Sequence, residues 1–219
     1  METQDFHPID MNSWPMAQTF YYYTRMAPTS YSVTVAMDVT TLRRELKARG
    51  LKFFPAYLYL VTRAAGRQRE LRTAVRDGVL GYWETLTPVY PQFHEDDKTT
   101  SLLWTEYDGC FKTFYGRCLE DTARHKDSHG ILSSKGIPLP NAYIVSCIPW
   151  LTFSSFSLHN HGMKDYYLPS FEAGAFTEAG GKITMPLSVT VHHAATEGYH
   201  LKVFFEELQR TMDRPSEWI

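Results

Sequence analysis

Apolar and polar positions alternate through "KITMPLSVTVHHA", residues 182–194, with Ile183, Met185, Leu187, Val189 and Val191 on one side and Thr184, Ser188 and Thr190 on the other. That period of two predicts a strand. "YSVTVAMDV" alternates in the same way, and "AYIVSCIPW" and "FSSFSLH" also read as strands. Between residues 79 and 107 the pattern is one of short strands broken by turns. Other stretches carry helical spacing. "MAQTFYYYTRM" predicts a short helix that stops before Pro28, because a residue preceding proline avoids the helical region. "DVTTLRRELKARG" pairs Leu42 with Leu46, offers Asp38 or Thr40 as a cap and ends at Gly50. "FPAYLYLVTRAAGRQ" predicts a more buried helix, and "CFKTFYGRCLEDTARHK" another, followed by the Gly/Ser/Pro-rich loop "SHGILSSKGIPLPN". In "GYHLKVFFEELQRTM", Leu201, Phe204, Leu208 and Met212 share one helical face. The sum is an α+β protein with no internal repeat or linker, expected as one domain over residues 1–219.

Composition narrows the function classes. With 219 residues, 43% of them hydrophobic and 15% aromatic, the chain can bury a substantial core. A formal charge of −2 and the lack of a basic block argue against a nucleic-acid partner. Cys110, Cys118 and Cys147 are odd in number and lack metal-finger spacing, which fits a reducing compartment. "METQDFHPIDMNSW" has no apolar core of an export signal, and no run reaches about 18 apolar residues. A cytoplasmic protein without membrane association is expected.

The stretch "PLSVTVHHAATEGYH" concentrates candidate chemistry. Strand parity puts His193 on the apolar side and His192 on the other. Partial dehydration tends to hold an imidazole neutral and able to accept a proton, as a general base requires. A core histidine bonded to a backbone carbonyl is the simpler alternative. A metal set of His193, Glu197 and His200 would need a helix, whereas the alternation and Gly198 imply a strand, a turn and a helix start, so no metal is expected. Glu197 could equally be an acid placed at a helix N-terminus. The "HNH" string at 159–161 lacks the basic surroundings of a nuclease.

"HHAATEGYH" resembles the HHxxxDG motif of chloramphenicol acetyltransferases and dihydrolipoamide acyltransferases. "NSW", "DVTTLRRELK", "KFFPAYLYLVTRA", "ELRTAVRDG", "FHEDDKT", "VSCIPWLTFSSFSL" and "MPLSVTVHHA" extend the resemblance to the chloramphenicol acetyltransferase family, in order, over nearly the whole chain. It implies a CoA-dependent acyltransferase fold, two-layered, with a mixed β-sheet and packed helices. It also implies a homotrimer with active sites between subunits, acetyl-CoA as co-substrate and no permanently bound cofactor. Position by position, His193 matches the catalytic base and Ser146 the serine that hydrogen-bonds the oxyanion. Tyr23, Tyr31 and Leu158 match the acceptor pocket, and Trp150 and Phe176 the coenzyme channel. Core packing is the alternative for these five, and a small strand residue is the alternative for Ser146.

The departures are as specific. Glu197 stands for the motif aspartate, and Met16 for the arginine that pairs with it, so Glu197 is expected to support the catalytic histidine through another partner, Arg25 being one candidate. Glu172 stands where a threonine helps hold an active-site water, and Thr100 and Ala27 suggest a roomier, more polar acceptor pocket. The expectation is an acetyl-CoA-dependent O-acetyltransferase, with chloramphenicol the leading acceptor and antibiotic resistance the implied role. The alternatives are the same chemistry on another hydroxyl or amine, or a non-catalytic trimeric binding protein.

Overall fold

The computed structural model describes residues 6–133, 135–160 and 164–219. The start of the N-terminal stretch, Ser134 in the long loop and His161 of the "HNH" string lie outside the described residues.

The longest strand is the one that alternates most cleanly. The strands in chain order are β1 (Phe6–Pro8), β2 (Ser30–Asp38), β3 (Thr73–Arg76), β4 (Val79–Trp83), β5 (Thr87–Phe93), β6 (Thr100–Trp104), β7 (Ala142–Ile148), β8 (Ser170–Gly174), β9 (Thr177–Ala179) and β10 (Lys182–His192). The larger sheet runs β2-β10-β8-β7-β5-β6, with β9 also on β10. β5/β7 and β7/β8 are parallel and the other pairs antiparallel, so the sheet is mixed as expected. β1, β4 and β3 form a separate small sheet.

The helices are α1 (Ala17–Tyr21), continued by a π-helical turn over Tyr22–Met26, then α2 (Thr40–Ala48), α3 (Phe53–Ala65), α4 (Phe111–Arg124) and α5 (Gly198–Asp213). The first ends where Pro28 requires it, with Ala27 extended at φ −140° and ψ 70°. Of the two candidate caps for α2, Asp38 supplies the acceptor, taking the Thr40 N–H at 3.0 Å. α3 is buried on nearly every side, and α5 buries Leu201, Phe204, Leu208 and Met212. These helices cover the sheet face that carries Val145, Phe171, Leu187 and Val189, with Phe171 against Phe204 at 5.0 Å and Tyr143 OH bonded to Thr62 Oγ1 at 2.6 Å.

The opposite face is polar. Register places Ser146, Glu172, Ser188 and Thr34 in one row across four strands, and Ser170, Thr190 and Ser32 in the next. Hydroxyls satisfy one another there: Thr34 Oγ1 donates to Ser188 Oγ at 3.1 Å, and Ser32 and Thr190 share a 2.7 Å bond.

"FSSFSLH" corrects the expectation of a strand, since residues 153–159 are irregular. Both edges of β10 are taken by β2 and β8, so the segment lies over the polar face instead of at an edge. Side chains replace the ladder: Ser188 Oγ donates to the Phe156 carbonyl at 2.6 Å, and the Leu158 N–H reaches Thr190 Oγ1 at 3.4 Å. Gly174 permits this approach, because a Cβ there would stand 2.8 Å from the Phe153 ring and 2.9 Å from the Leu151 carbonyl. No helix among the described residues is long and apolar enough to cross a membrane.

Candidate functional site

His193 follows the end of β10, and its N–H donates to the Thr29 carbonyl at 2.9 Å, continuing the pairing with the segment before β2. The Tyr23 ring lies flat on the imidazole, 4.0 Å away and 9° from parallel, and Tyr31 meets it at 4.9 Å. Nδ1 is buried with no hydrogen-bond partner among the described residues. The two histidines face different surroundings, as strand parity expects. His192 turns away, accepting the Ala194 N–H on Nδ1 at 3.1 Å and meeting Tyr167 edge-on at 5.1 Å. Burial lowers the pKa of His192, with a smaller push from neighbouring His193.

The turn after His193 is held through the backbone. Tyr31 OH donates to the Thr196 carbonyl at 3.2 Å, and Thr196 Oγ1 donates to the Glu70 carbonyl at 3.1 Å. Burial, and secondarily the Glu197 charge, push the Tyr31 hydroxyl up to about 12, so it stays a donor. Glu197 is the N-cap of α5: its carboxylate accepts the His200 N–H, and its own N–H donates to His200 Nδ1 at 3.0 Å. This reciprocal box engages both residues at the helix end, and among the described residues the ligand atoms of His193, Glu197 and His200 are not found converging on one point. Arg25 is not the partner of Glu197. Among the described residues the acid makes no ion pair, and its other neighbour is the Thr19 hydroxyl at 3.5 Å. Ala27 lies two residues before the Thr29 contact, its carbonyl taking the Thr29 hydroxyl at 2.7 Å. Leu158 lies against Thr190 and lines a cavity of about 280 Å³ with Ser30, Ser170 and His192.

The other group of expected residues sits elsewhere on the sheet. Ser146 is half-buried on β7, and its carbonyl accepts Tyr57 OH at 3.4 Å. Glu172 is its direct partner on β8, only 1% exposed. Burial raises the Glu172 carboxyl to about 7, against a smaller opposing pull from Ser170, which stands beside it outside hydrogen-bonding geometry. Thr100 is exposed at the start of β6 opposite Phe93, and Trp150 meets Phe93 edge-on at 4.9 Å. Phe176 meets Phe53 at 4.9 Å and carries the Arg43 guanidinium 4.0 Å above its ring. Arg43 and Phe53 carried no sequence signal for this place, since each reads as an ordinary helix residue.

One chain does not bring His193 to Ser146. Ser146 is level with Glu172 and Ser188, and His193 lies five positions beyond Ser188. That is about 17 Å along the strand and about 10 Å across two strand spacings. A metal-compatible set does occur elsewhere: His94, Asp96 and His129 on the β5–β6 hairpin and its neighbouring loop have ligand atoms within 4.8 Å. There His129 is bracketed by Asp97 at 2.8 Å and Asp96 at 3.3 Å.

The fold is that of the CoA-dependent acyltransferases. A solved structure titled chloramphenicol acetyltransferase superposes with a TM-score of 0.81 at 23% identity, covering 95% of this chain and all of that one. A probable dihydrolipoamide acetyltransferase from Listeria monocytogenes superposes at 0.64 with 13% identity, covering 94% and 93% of the two chains. Within that class the sequence is more particular. Residues 4–209 match the family described as Chloramphenicol acetyltransferase. Proteins named chloramphenicol acetyltransferase from Clostridium perfringens and Staphylococcus aureus are each 37% identical, covering 98% of this chain and 98% and 99% of theirs. This chain belongs to the chloramphenicol acetyltransferase family.

Proposed function

We propose that the protein is an acetyl-CoA-dependent O-acetyltransferase that acetylates a hydroxyl of chloramphenicol, works as a homotrimer and thereby confers resistance. The observation that carries the site assignment is the pair of half-sites, with His193 held under Tyr23 just past the end of β10 and Ser146 on the polar face of β7, two strands away and five positions back along the sheet. A base and an oxyanion donor must both stand within about 3 Å of the reacting atoms. Separated as they are in one chain, they can share a substrate only if His193 of one subunit faces Ser146 of the next. A closed ring of three copies repeats that contact three times.

In this reading His193 uses Nε2, since Nδ1 is buried. It takes the acceptor hydroxyl proton as that oxygen attacks the thioester carbon of acetyl-CoA. The Ser146 hydroxyl donates to the oxyanion of the tetrahedral intermediate, favouring the transition state over the ground state. Collapse breaks the carbon–sulfur bond, and the imidazolium returns its proton to the departing thiolate. Tyr23 and Tyr31 orient the imidazole, and Glu197 supports it by fixing the start of α5. Tyr23, Tyr31, Leu158, Ala27 and Thr100 line the acceptor side, and Trp150 and Phe176 the coenzyme side, where Arg43 adds a cation. A cytoplasmic location fits the free cysteines.

A buried carboxyl at Glu172 and a hydroxyl at Thr100 favour, as second reading, an acceptor more polar than chloramphenicol. Thiol release from acetyl-CoA across an acceptor panel tests both. Turnover with chloramphenicol supports the first; turnover only with another hydroxyl or amine supports the second. Binding without transfer on any acceptor would mean a non-catalytic protein.

A further inference from the structure

The mechanism above leaves one carboxyl unused. Glu172 stands directly across from Ser146 in the parallel β7/β8 pair. Their side chains leave the same face about 4.8 Å apart, one strand spacing. Glu172 is buried to within 1%, and neither of its oxygens has a hydrogen-bond partner among the described residues. No cation faces it. β10 brings Ser188 and Thr190, β7 brings Ser146, and the covering segment, residues 151–158, contains only Leu, Thr, Phe and Ser. The titratable neighbours, Tyr57 of α3 and Cys147 of β7, are both kept protonated by burial. An ionised carboxylate without partners is strongly disfavoured in such a place, whereas a neutral acid needs only somewhere to donate.

We infer that Glu172 acts as a carboxylic acid, donating its O–H to the oxyanion of the tetrahedral intermediate beside the Ser146 hydroxyl. The inference rests on the acyl-transfer reading. The proton stays on Glu172 throughout, so no bond to it forms or breaks and the proton cycle through His193 is unchanged. Donors in a dry, preorganised site favour developing negative charge, while a carboxylate in the same position would repel it. Burial that raises the carboxyl to about 7 keeps a large share of it neutral at physiological pH.

The test is the pH dependence of kcat, read by thiol release with saturating acetyl-CoA and acceptor, in the wild type, Glu172→Gln and Glu172→Leu. The wild type should lose roughly 25-fold between pH 6.5 and 8.5 as the donor ionises. Glu172→Gln keeps an N–H donor that does not titrate; it should start severalfold lower, because an amide is the weaker donor, and lose the alkaline fall. Glu172→Leu should be about 10²-fold slower at pH 6.5, the scale of one missing oxyanion donor, with the KM for acetyl-CoA unchanged. An alkaline fall that persists in Glu172→Gln, or a Glu172→Leu enzyme as fast as wild type, overturns the inference while leaving acyl transfer intact. Absence of turnover in the wild type with every acceptor overturns the acyl-transfer reading, and this inference with it.

Discussion

The two regions of the large sheet that carry His193, at the end of β10, and Ser146, on the face of β7, are built differently. Around His193 most polar groups are engaged within the chain: its N–H pairs with Thr29, Tyr31 anchors the following turn, and Glu197 and His200 close the helix start, while the imidazole Nδ1 is buried without a partner among the described residues. Around Ser146 they are not. Both Glu172 oxygens and Ser170 Oγ are buried without partners among the described residues, and Trp150 and Phe176 present exposed ring surface. Buried polar atoms are normally satisfied, so an end that leaves three of them open is one made to receive something. The histidine end is largely finished by its own chain, with Nδ1 of His193 left open, and the serine end awaits what comes to it.

The sharpest way to break this comparison is to disable one end at a time. His193→Ala should lower kcat by about 10³ to 10⁴-fold, the scale of a lost general base. Ser146→Ala should cost about 10² to 10³-fold, the scale of one oxyanion donor. Neither should shift the midpoint of thermal unfolding by more than a few degrees. Co-expressing the two variants sharpens the point. If the half-sites meet between subunits, a His193→Ala chain supplies the serine and a Ser146→Ala chain the histidine, and about a quarter of the sites in random trimers regain both. Mixed trimers no more active than the better parent would show that the ends do not meet in this way.

A smaller effect separates the ends by stability. Glu172 titrates near 7 in the folded chain against an ordinary value of 4.5. Below about pH 4.5 it is neutral in both states and carries no penalty. As pH rises towards 7 the unfolded chain ionises first, so stability is lost through that window, and above it the full cost applies, about 3 kcal/mol. Glu172→Gln should therefore be more stable than wild type at pH 8 and nearly equal to it at pH 4.5. Thermal melts at the two pH values check this, and equal differences at both would mean that the carboxyl is not buried as described.

How much of this could be read from residues alone follows the same division. The histidine end was legible because it rests on local order: the period of two in β10 chose His193 over His192, and the 3.6 period set the buried face of α5. Pro28 and Gly50 marked their helix ends for backbone reasons. The serine end depends on pairing between distant segments. "SFEAG" contains glycine and glutamate, poor strand formers, and becomes β8 because β7 and β10 supply ladders on both sides. "FSSFSLH" looks strand-like and is not one, since no edge was left for it. Arg43 above Phe176, and the burial of Glu172, arise from which segments cover which, and spacing within one segment does not carry that. Ser146 was placed by resemblance, not by periodicity.

The smallest effect tests whether the finished end is finished by Glu197. Its carboxylate caps α5 and lies near the Thr19 hydroxyl, with no cation in reach among the described residues, so its contribution is that of a charged N-cap. Glu197→Gln should cost about 1 kcal/mol of stability, the usual scale of a lost cap. Glu197→Asp should cost less, because a shorter carboxylate is a better cap, though it must give up the Thr19 contact. The Tyr31 hydroxyl, pushed up partly by the Glu197 charge, should titrate lower in Glu197→Gln than in Glu197→Asp, which a tyrosinate absorbance titration reads directly. Turnover per folded molecule should stay within about threefold of wild type in both, since the imidazole packs between Tyr23 and Tyr31 and the His193 backbone is fixed by the Thr29 carbonyl. A hundredfold loss of kcat in a fully folded Glu197→Gln protein would move Glu197 from the helix cap into the proton path, and the histidine end would then be no more self-sufficient than the serine end.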